Sequence, residues 1–192
     1  SARDAAKTLG KSVTFNAFGM DTRVDANVLS AMLEPLMHLV RNAVAHGIED
    51  DRHALGKPES GVIQLRVERR GDLVSFACTD DGRGVDVEQI RAAVLLRGSL
   101  PSDHVASLSS GELIATLFEP GWSTTESAGL ISGRGMGLDV VRIVAEGFGG
   151  QVELRSELGH GTTVELLIPA SLASMLILSF EQDDITVSVP LT

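Results

Sequence analysis

Three of the tight glycine clusters in this chain each stand where one predicted element hands over to the next. Asp80-Asp81-Gly82-Arg83-Gly84 leaves an alternating strand and precedes a helix. Gly133-Arg134-Gly135-Met136-Gly137 opens a helix, and Gly159-His160-Gly161-Thr162 joins two strands. Lacking a Cβ, glycine supplies positive φ and lets a ligand approach the backbone. Glycines before a helix N-terminus recur where phosphate is bound. Singly, each cluster also has a plainer reading: a strand-to-helix turn, a flexible hinge and ordinary hairpin chemistry. The second cluster is not the GxGxxG of a dinucleotide fold, and no strand immediately precedes it. Gly56-Lys57 runs into Pro58 and is no Walker A loop. The first lacks the spaced carboxylates and flanking helices of an EF-hand, which argues against calcium.

Between the clusters, periodicity predicts the elements. Residues 13–18 alternate as a half-buried strand. A helix starts at Asp25 as N-cap, with Val28, Leu29, Met32 and Leu33 on one face. Pro35 is placed at the start of a second helical segment, which runs to His46 and ends at Gly47 as a C′ glycine. Residues 49–60 read as a loop. Strands over 62–68 and 73–79 form a hairpin around Gly71-Asp72. A helix follows over 86–96, then a long, loosely ordered segment over 97–132 with one short helix near 110–117. The helix at 138–146 and strands at 151–156 and 162–168 close the unit at Pro169. Beyond it, an apolar run to Phe180 and the alternating Ile185–Val189 read as the opening of a further β-domain.

Composition narrows the function classes. The formal charge of −10 argues against general nucleic-acid binding and against an anchor on anionic membranes. A small anionic ligand remains compatible, because backbone N–H groups and a metal can cradle phosphates locally. Cys78 is the single cysteine, which excludes an internal disulfide and suggests a reducing, cytoplasmic setting. No apolar run is long enough to span a bilayer. The start at Ser1, without Met or a signal pattern, predicts a piece of a longer chain.

His38, Asn42 and His46 recur every four residues on a helix whose other faces carry Leu36, Leu39, Val40, Ala43 and Val44. A polar stripe on an apolar helix suggests a cavity, and the neutral amide oxygen of Asn42 suits a hard cation such as Mg²⁺. A solvated helix face with two incidental histidines is the plainer alternative. Two histidines without a Cys or a third His nearby make a poor zinc site.

Taken together, the order and spacing of these segments resemble the ATP-binding domain shared by histidine kinases, gyrase, Hsp90 and mismatch-repair proteins. His38–Glu49 resembles the N-box, and Asp80–Gly84 the first glycine box. Phe118–Thr124 resembles the lid's F-box, Ser132–Val141 the second glycine box, and Gly159–Thr162 the third. The HLxRNxxxHGIE helix, the GKP-x-x-G loop from Gly56 to Gly61 and SGRGxGxDVV resemble the chemotaxis-type kinases, the CheA family. The resemblance covers residues 3–169, and the tail is similar to the first strands of a CheW-like regulatory domain. It implies the Bergerat ATP-binding fold, an α/β (α+β) two-layer sandwich with a mixed β-sheet packed on helices. It also implies two domains, an ATP-binding one over 1–169 and a truncated regulatory one over 170–192.

For the site, the resemblance implies ATP and Mg²⁺ as cofactors. Asp80 takes the adenine amino group, with Gly82, Gly84 and Thr162 around the base. Asn42 holds Mg²⁺, and Arg41 and His46 stand near the phosphates. Ser123, Gly133, Arg134, Gly135, Gly137 and Leu138 belong to the lid and to the loop that folds over the phosphates. His38, where related ATPases hold a general base, is a polar group beside the γ-phosphate. Phosphoryl transfer needs positioning and charge neutralisation above all.

Several features depart from the family's pattern. Gln89, Ala92 and Ala93 stand where lysines usually reach the phosphates, leaving only Arg91 cationic there; this motivates the alternative of a nucleotide-binding regulatory module without transfer. Trp122 replaces the usual lid phenylalanine and keeps an aromatic anchor, and Met136 replaces a small aliphatic residue. None of the five histidines lies in the context of a phosphoacceptor domain. The expectation is therefore a domain that binds ATP and phosphorylates a histidine phosphotransfer domain only in trans. Expected partners are a CheW-like adaptor, chemoreceptors and, indirectly, response regulators. The family further implies a homodimeric full-length protein, a monomeric fragment and a place at membrane-associated receptor arrays.

Overall fold

Alternation in the sequence becomes one mixed sheet. A computed structural model describes residues 9–98, 100–120, 122, 138–170, 176–182 and 185–191, the last two segments as backbone. Strand β1 (Val13–Phe18) lies at one edge, parallel to β2 (Gly61–Arg70). β2 turns through Gly71, whose φ is +64°, into antiparallel β3 (Leu73–Asp80). β3 pairs antiparallel with β5 (Gly161–Pro169), and β4 (Gln151–Glu157) closes the other edge, giving the order β1-β2-β3-β5-β4.

The alternate side chains of β2, β3 and β5 make the core. Ile63, Val74, Phe76, Leu166 and Ile168 are buried against helix α1 (Ala26–Asn42) and helix α5 (Leu138–Gly147). α1 contributes Val28, Met32, Leu36, Leu39 and Val40, and α5 contributes Val141 and Ala145. Each large apolar side chain buried here is worth about 1.5–3 kcal/mol. The opposite sheet face is polar. There Glu165, 5% exposed, takes the Ser75 hydroxyl at 2.5 Å, Arg155 at 2.8 Å and Arg70 at 2.8 Å. Among the described residues helices therefore cover one face only, and the predicted two-layer architecture is the observed one.

Helices α2 (Val87–Arg97), α3 (Ser102–Ser107) and α4 (Ser110–Ala115) bury a second, smaller core of Ile90, Val94, Val105, Leu113, Ile114 and Trp122. This overturns part of the expectation for residues 97–132, where a single short helix was predicted. Among the described residues two short α-helices and a 3₁₀ turn, Thr116–Phe118, occur there, and α4 starts at a reciprocal capping box between Ser109 and Glu112. α3 is too short to show a helical period, which is why the pattern missed it. Trp122 does act as an anchor: it is 8% exposed, with the Arg97 guanidinium 4.3 Å above its ring.

Two expectations on α1 fail. Pro35 does not begin a second segment; α1 runs through it unbroken, with the proline buried among the core residues. The ring's fixed φ fits a helix, and the lost hydrogen bond is outweighed by packing on both sides. Gly47 is not a left-handed C′ residue, since it is absent from the positive-φ glycines. The α-helix ends at Asn42 and widens into a π-helical turn, Ala43–Gly47, closed by Ile48 N–H on the Ala43 carbonyl at 2.8 Å.

The tail contains two strands, the first extending through Glu181 and Gln182, where the sequence suggests a turn. β6 (Leu176–Gln182) and β7 (Ile185–Leu191) pair antiparallel in a sheet of their own. Among the described residues no helix is long and apolar enough to cross a membrane.

Candidate functional site

β3 ends at Asp80 because the hydrogen-bonded ladder stops there and Asp81-Gly82 turns away. Asp80 is 8% exposed, and its Oδ1 accepts the Gly82 N–H at 2.9 Å. Burial pushes its carboxyl up to about 6, N–H donation from Gly82 and Thr162 opposes that, and the Asp81 and Glu49 charges add to it. The carboxylate sits in a space that other residues keep open. A Cβ on Gly47 would stand 2.9 Å from Asp80 Oδ1, and one on Gly82 would strike the Gly47 carbonyl. That close approach explains Gly47 better than helix termination does.

The first and third glycine clusters lock into one another around this carboxylate. The π turn presents the Gly47 carbonyl to Arg83 N–H at 2.9 Å, and Gly159 N–H reaches the Arg83 carbonyl at 2.7 Å. Gly84 (φ +68°) presses on the Glu157 carbonyl and Gly161 (φ +113°) on the Asp80 carbonyl, so a Cβ at either would collide with backbone. Thr162 pairs with Asp80 across the ladder, and its hydroxyl is 2.9 Å from Ser156 Oγ. Asp80, Gly82, Gly84 and Thr162, predicted from separate segments, are one assembly.

Behind it lies a buried ion network. Arg52, 3% exposed, donates to Glu49 Oε2 at 2.7 Å, to Asp81 Oδ2 at 2.8 Å and to the Pro58 carbonyl at 2.9 Å. Lys57 donates to Glu49 Oε1 at 2.7 Å and to the carbonyls of Asp81 and Gly82 at 2.9 and 2.7 Å. Asp81 Oδ1 takes the Val62 N–H at 2.8 Å, which ties the turn to β2. Burial alone raises the Glu49 carboxyl, but Lys57 and Arg52 outweigh it and the net shift is down. The sequence reading gave Glu49, Arg52 and Lys57 no role. The signal available was the motif itself, since Gly56 takes φ +71° and turns Lys57 inward.

One turn before the π segment, the Asn42 amide nitrogen lies 2.9 Å from His38 Nε2, both half-buried. Desolvation lowers the His38 pKa, Arg41 lowers it further, and Asp139 and Glu34 oppose them. His46 falls in the π turn, so the three-residue stripe breaks its helical phase there. Its pKa is lowered by partial withdrawal from water and by Lys11 and Arg83. Lys11, unnoticed in the sequence, caps the Ala45 and Ile48 carbonyls at 3.1 and 2.7 Å. Arg41 and Arg83 are exposed.

Arg91 does not supply the missing phosphate cation. Its guanidinium is engaged by the Val105 and Leu108 carbonyls, at 2.6 and 3.3 Å, where it closes α3. Gln89 is engaged by Asp86 at 3.1 Å. Ser123, Gly133, Arg134, Gly135, Met136 and Gly137 lie outside the described residues; Leu138 begins α5 and packs against the core.

With its amide nitrogen on His38, Asn42 has its carbonyl oxygen left as a hard donor. Among the described residues no group of three His, Cys, Asp or Glu side chains could hold a metal. A cation on Asn42 would complete its shell with water and phosphate oxygens, which is Mg²⁺ chemistry, so the residues fit Mg²⁺.

The profile of the histidine kinase-, DNA gyrase B- and HSP90-like ATPases matches residues 32–172. The chain belongs to that family. Within it, chemotaxis proteins named CheA are among its relatives. The chain is 40% identical over 173 residues to the chemotaxis protein CheA of Klebsiella aerogenes, covering 89% of this chain and 26% of that protein. It is 33% identical to the chemotaxis protein CheA of Bacillus subtilis, covering 99% and 29%. A gliding motility regulatory protein of Myxococcus xanthus is 38% identical, covering 99% and 25%. The chain thus spans about a quarter of the length of these relatives. The catalytic domain of histidine kinase ThkA shares the fold, with TM-score 0.54 at 16% identity, covering 88% of this chain and 85% of that one.

Proposed function

We propose that this domain binds Mg·ATP between α1, α5 and the ends of β3 and β5, and donates the γ-phosphate to a histidine on a separate phosphotransfer domain. The observation that carries the reading is Asp80, a buried carboxylate held in a cradle of Gly47 and Gly82 that a Cβ would fill. Such a group accepts a hydrogen bond from the exocyclic amine of adenine and discriminates against bases that lack it there. Gly82, Gly84 and Thr162 line the same cradle. Asn42 would hold Mg²⁺, which supplies charge neutralisation on the phosphate oxygens. Arg41 and His46 face the phosphates, His38 stands beside the γ-phosphate, and Ser123, Gly133, Arg134, Gly135, Gly137 and Leu138 cover them. In the transfer, the bond from the γ-phosphorus to the bridging oxygen breaks as the acceptor imidazole nitrogen bonds to phosphorus. ADP leaves and the imidazolium loses its proton to solvent.

Residues 1–169 form the ATP-binding unit, and 170–192 begin a CheW-like regulatory domain through which an adaptor and chemoreceptors would engage a dimeric, cytoplasmic full-length protein at receptor arrays. One observation favours a second reading, a nucleotide-binding module without transfer: α2 offers no lysine, and Arg91 is taken by α3. Incubation with labelled ATP, Mg²⁺ and a phosphotransfer domain in trans separates the two. Labelled histidine on the acceptor supports the kinase, and tight nucleotide binding without label supports the regulatory module.

A further inference from the structure

Lys57 stands in a charged loop, where a lysine ordinarily stays in water. Here its side chain is largely buried, and each of its three ammonium protons has an acceptor. One acceptor is Glu49 Oε1 at 2.7 Å. The other two are consecutive backbone carbonyls, Asp81 at 2.9 Å and Gly82 at 2.7 Å. Neighbouring carbonyls that converge repel each other, and a cation between their oxygens offsets the repulsion. In a planar trans peptide the C=O and the N–H of one unit point in opposite directions. Drawing the Asp81 carbonyl onto Lys57 therefore sends the Gly82 N–H the other way, where it meets Asp80 Oδ1 at 2.9 Å. Drawing in the Gly82 carbonyl likewise sends the Arg83 N–H the other way, where it meets the Gly47 carbonyl at 2.9 Å. The two N–H groups that shape the cradle at this turn are thus the far ends of peptides whose near ends Lys57 holds. A pair with Glu49 alone would require neither carbonyl, and Arg52 already meets Glu49 at 2.7 Å.

We propose, resting on the nucleotide reading above, that Lys57 is a positioning residue for recognition of the base: by gripping these two carbonyls it holds the Asp80 carboxylate, through the Gly82 N–H, in the orientation that takes the exocyclic amine of adenine. The ammonium also polarises both peptides, which strengthens their N–H groups as donors. Its effect falls on the choice of base and leaves the phosphates and the cation to other residues.

The test compares two probes by calorimetry at pH 8: a nonhydrolysable ATP analogue, and the same analogue built on purine, which lacks the exocyclic amine. The wild type is expected to prefer the adenine probe by about tenfold or more, the range of a hydrogen bond to a charged group. Lys57→Met keeps the stem and removes the ammonium; it is expected to bring that preference down toward parity while affinity for the purine probe is retained. A purely structural role would weaken both probes alike. Lys57→Gln gives the same readout should methionine disturb the fold. Glu49→Gln removes the ion pair but leaves Lys57 an acceptor and both carbonyls, and should keep the preference. In the ligand-free protein, ¹H–¹⁵N correlation should find the Gly82 amide proton downfield, from its bond to the carboxylate, and displaced upfield in both Lys57→Met and Asp80→Ala. A preference that survives Lys57→Met, equal losses for the two probes, an equal collapse in Glu49→Gln, or a Gly82 amide indifferent to Lys57→Met overturns the proposal. A Gly82 amide that responds in a domain binding neither probe, or both equally, would support the hold of Lys57 on the turn and defeat the nucleotide reading of Asp80 instead.

Discussion

On the proposed reading, the Asp80 end of the cleft would hold the base and the His38–Asn42 end the phosphates, and the two ends are built on opposite principles. At the base end the polar groups are satisfied within the fold. Asp80 is held by Gly82, the turn behind it is tied by Arg52 and Lys57, and three glycines let the backbones touch. At the phosphate end the described groups are half-buried or exposed, with His38 and Asn42 bonded to each other and Arg41 at the surface. On that reading the base site is pre-formed and its cost is carried by the fold, while the phosphate site would be completed by ligand and cation. The contrast teaches why positive side chains, Arg52, Lys57 and Arg91, are spent on architecture in a chain proposed to bind an anionic nucleotide. They neutralise the carboxylates and carbonyls that shape the base site and close α3.

If that division is right, the largest effect on folding comes from behind the base site. Arg52→Ala leaves Glu49 and Asp81 facing each other without their shared cation, and should cost about 3–5 kcal/mol in urea unfolding. A loss under 1 kcal/mol would mean that the network is not structural. Asp80→Asn should act with the opposite sign. The folded carboxyl is raised to about 6, above its ordinary value of 3.8, so its ionised form opposes folding at pH 7. Removing that charge should stabilise by up to about 3 kcal/mol at pH 7, the gain fading as pH falls below about 6. The same variant should lose nucleotide affinity. In the wild type, affinity should fall as pH drops through about 6, because protonated Asp80 is a poorer acceptor.

At the phosphate end the expected signature is the reverse. Asn42→Ala should leave the melting temperature almost unchanged and remove about 10–100-fold of Mg²⁺-dependent affinity, with Mg²⁺-free binding intact. Equal losses with and without Mg²⁺ would erase the distinction between the two ends. The smallest effect belongs to the second core. Arg97→Gln should remove the stack on Trp122 and cost about 0.5–1 kcal/mol, with nucleotide affinity unchanged.

The same contrast explains what the sequence made legible. Sheet and helices were readable because their periods are long and strong, as in β2, β3, α1 and α5. The site segments were readable because glycine at Gly82, Gly84 and Gly161 marks close backbone approach, although the residues they approach are distant in sequence. Charge networks leave no such mark. Nothing in the spacing of Glu49, Arg52, Lys57 and Asp81 distinguishes a buried cluster from a solvated loop, and residues 49–60 look like one. The π turn was hidden as well, because four-residue spacing from His38 to His46 is equally compatible with a regular helix. Pro35 and Gly47 carried the strongest local signals and both misled. Tertiary packing overrode the proline's preference, and contact with Asp80 rather than chain reversal selected the glycine.

The most direct measurement is calorimetric titration of the domain with a nonhydrolysable ATP analogue at pH 8, with and without Mg²⁺. Binding in both conditions, tighter with Mg²⁺, is the expected result: the base end works alone and the phosphate end needs its cation. No binding at millimolar analogue in either condition would contradict it and leave Asp80 a buried charge without a ligand.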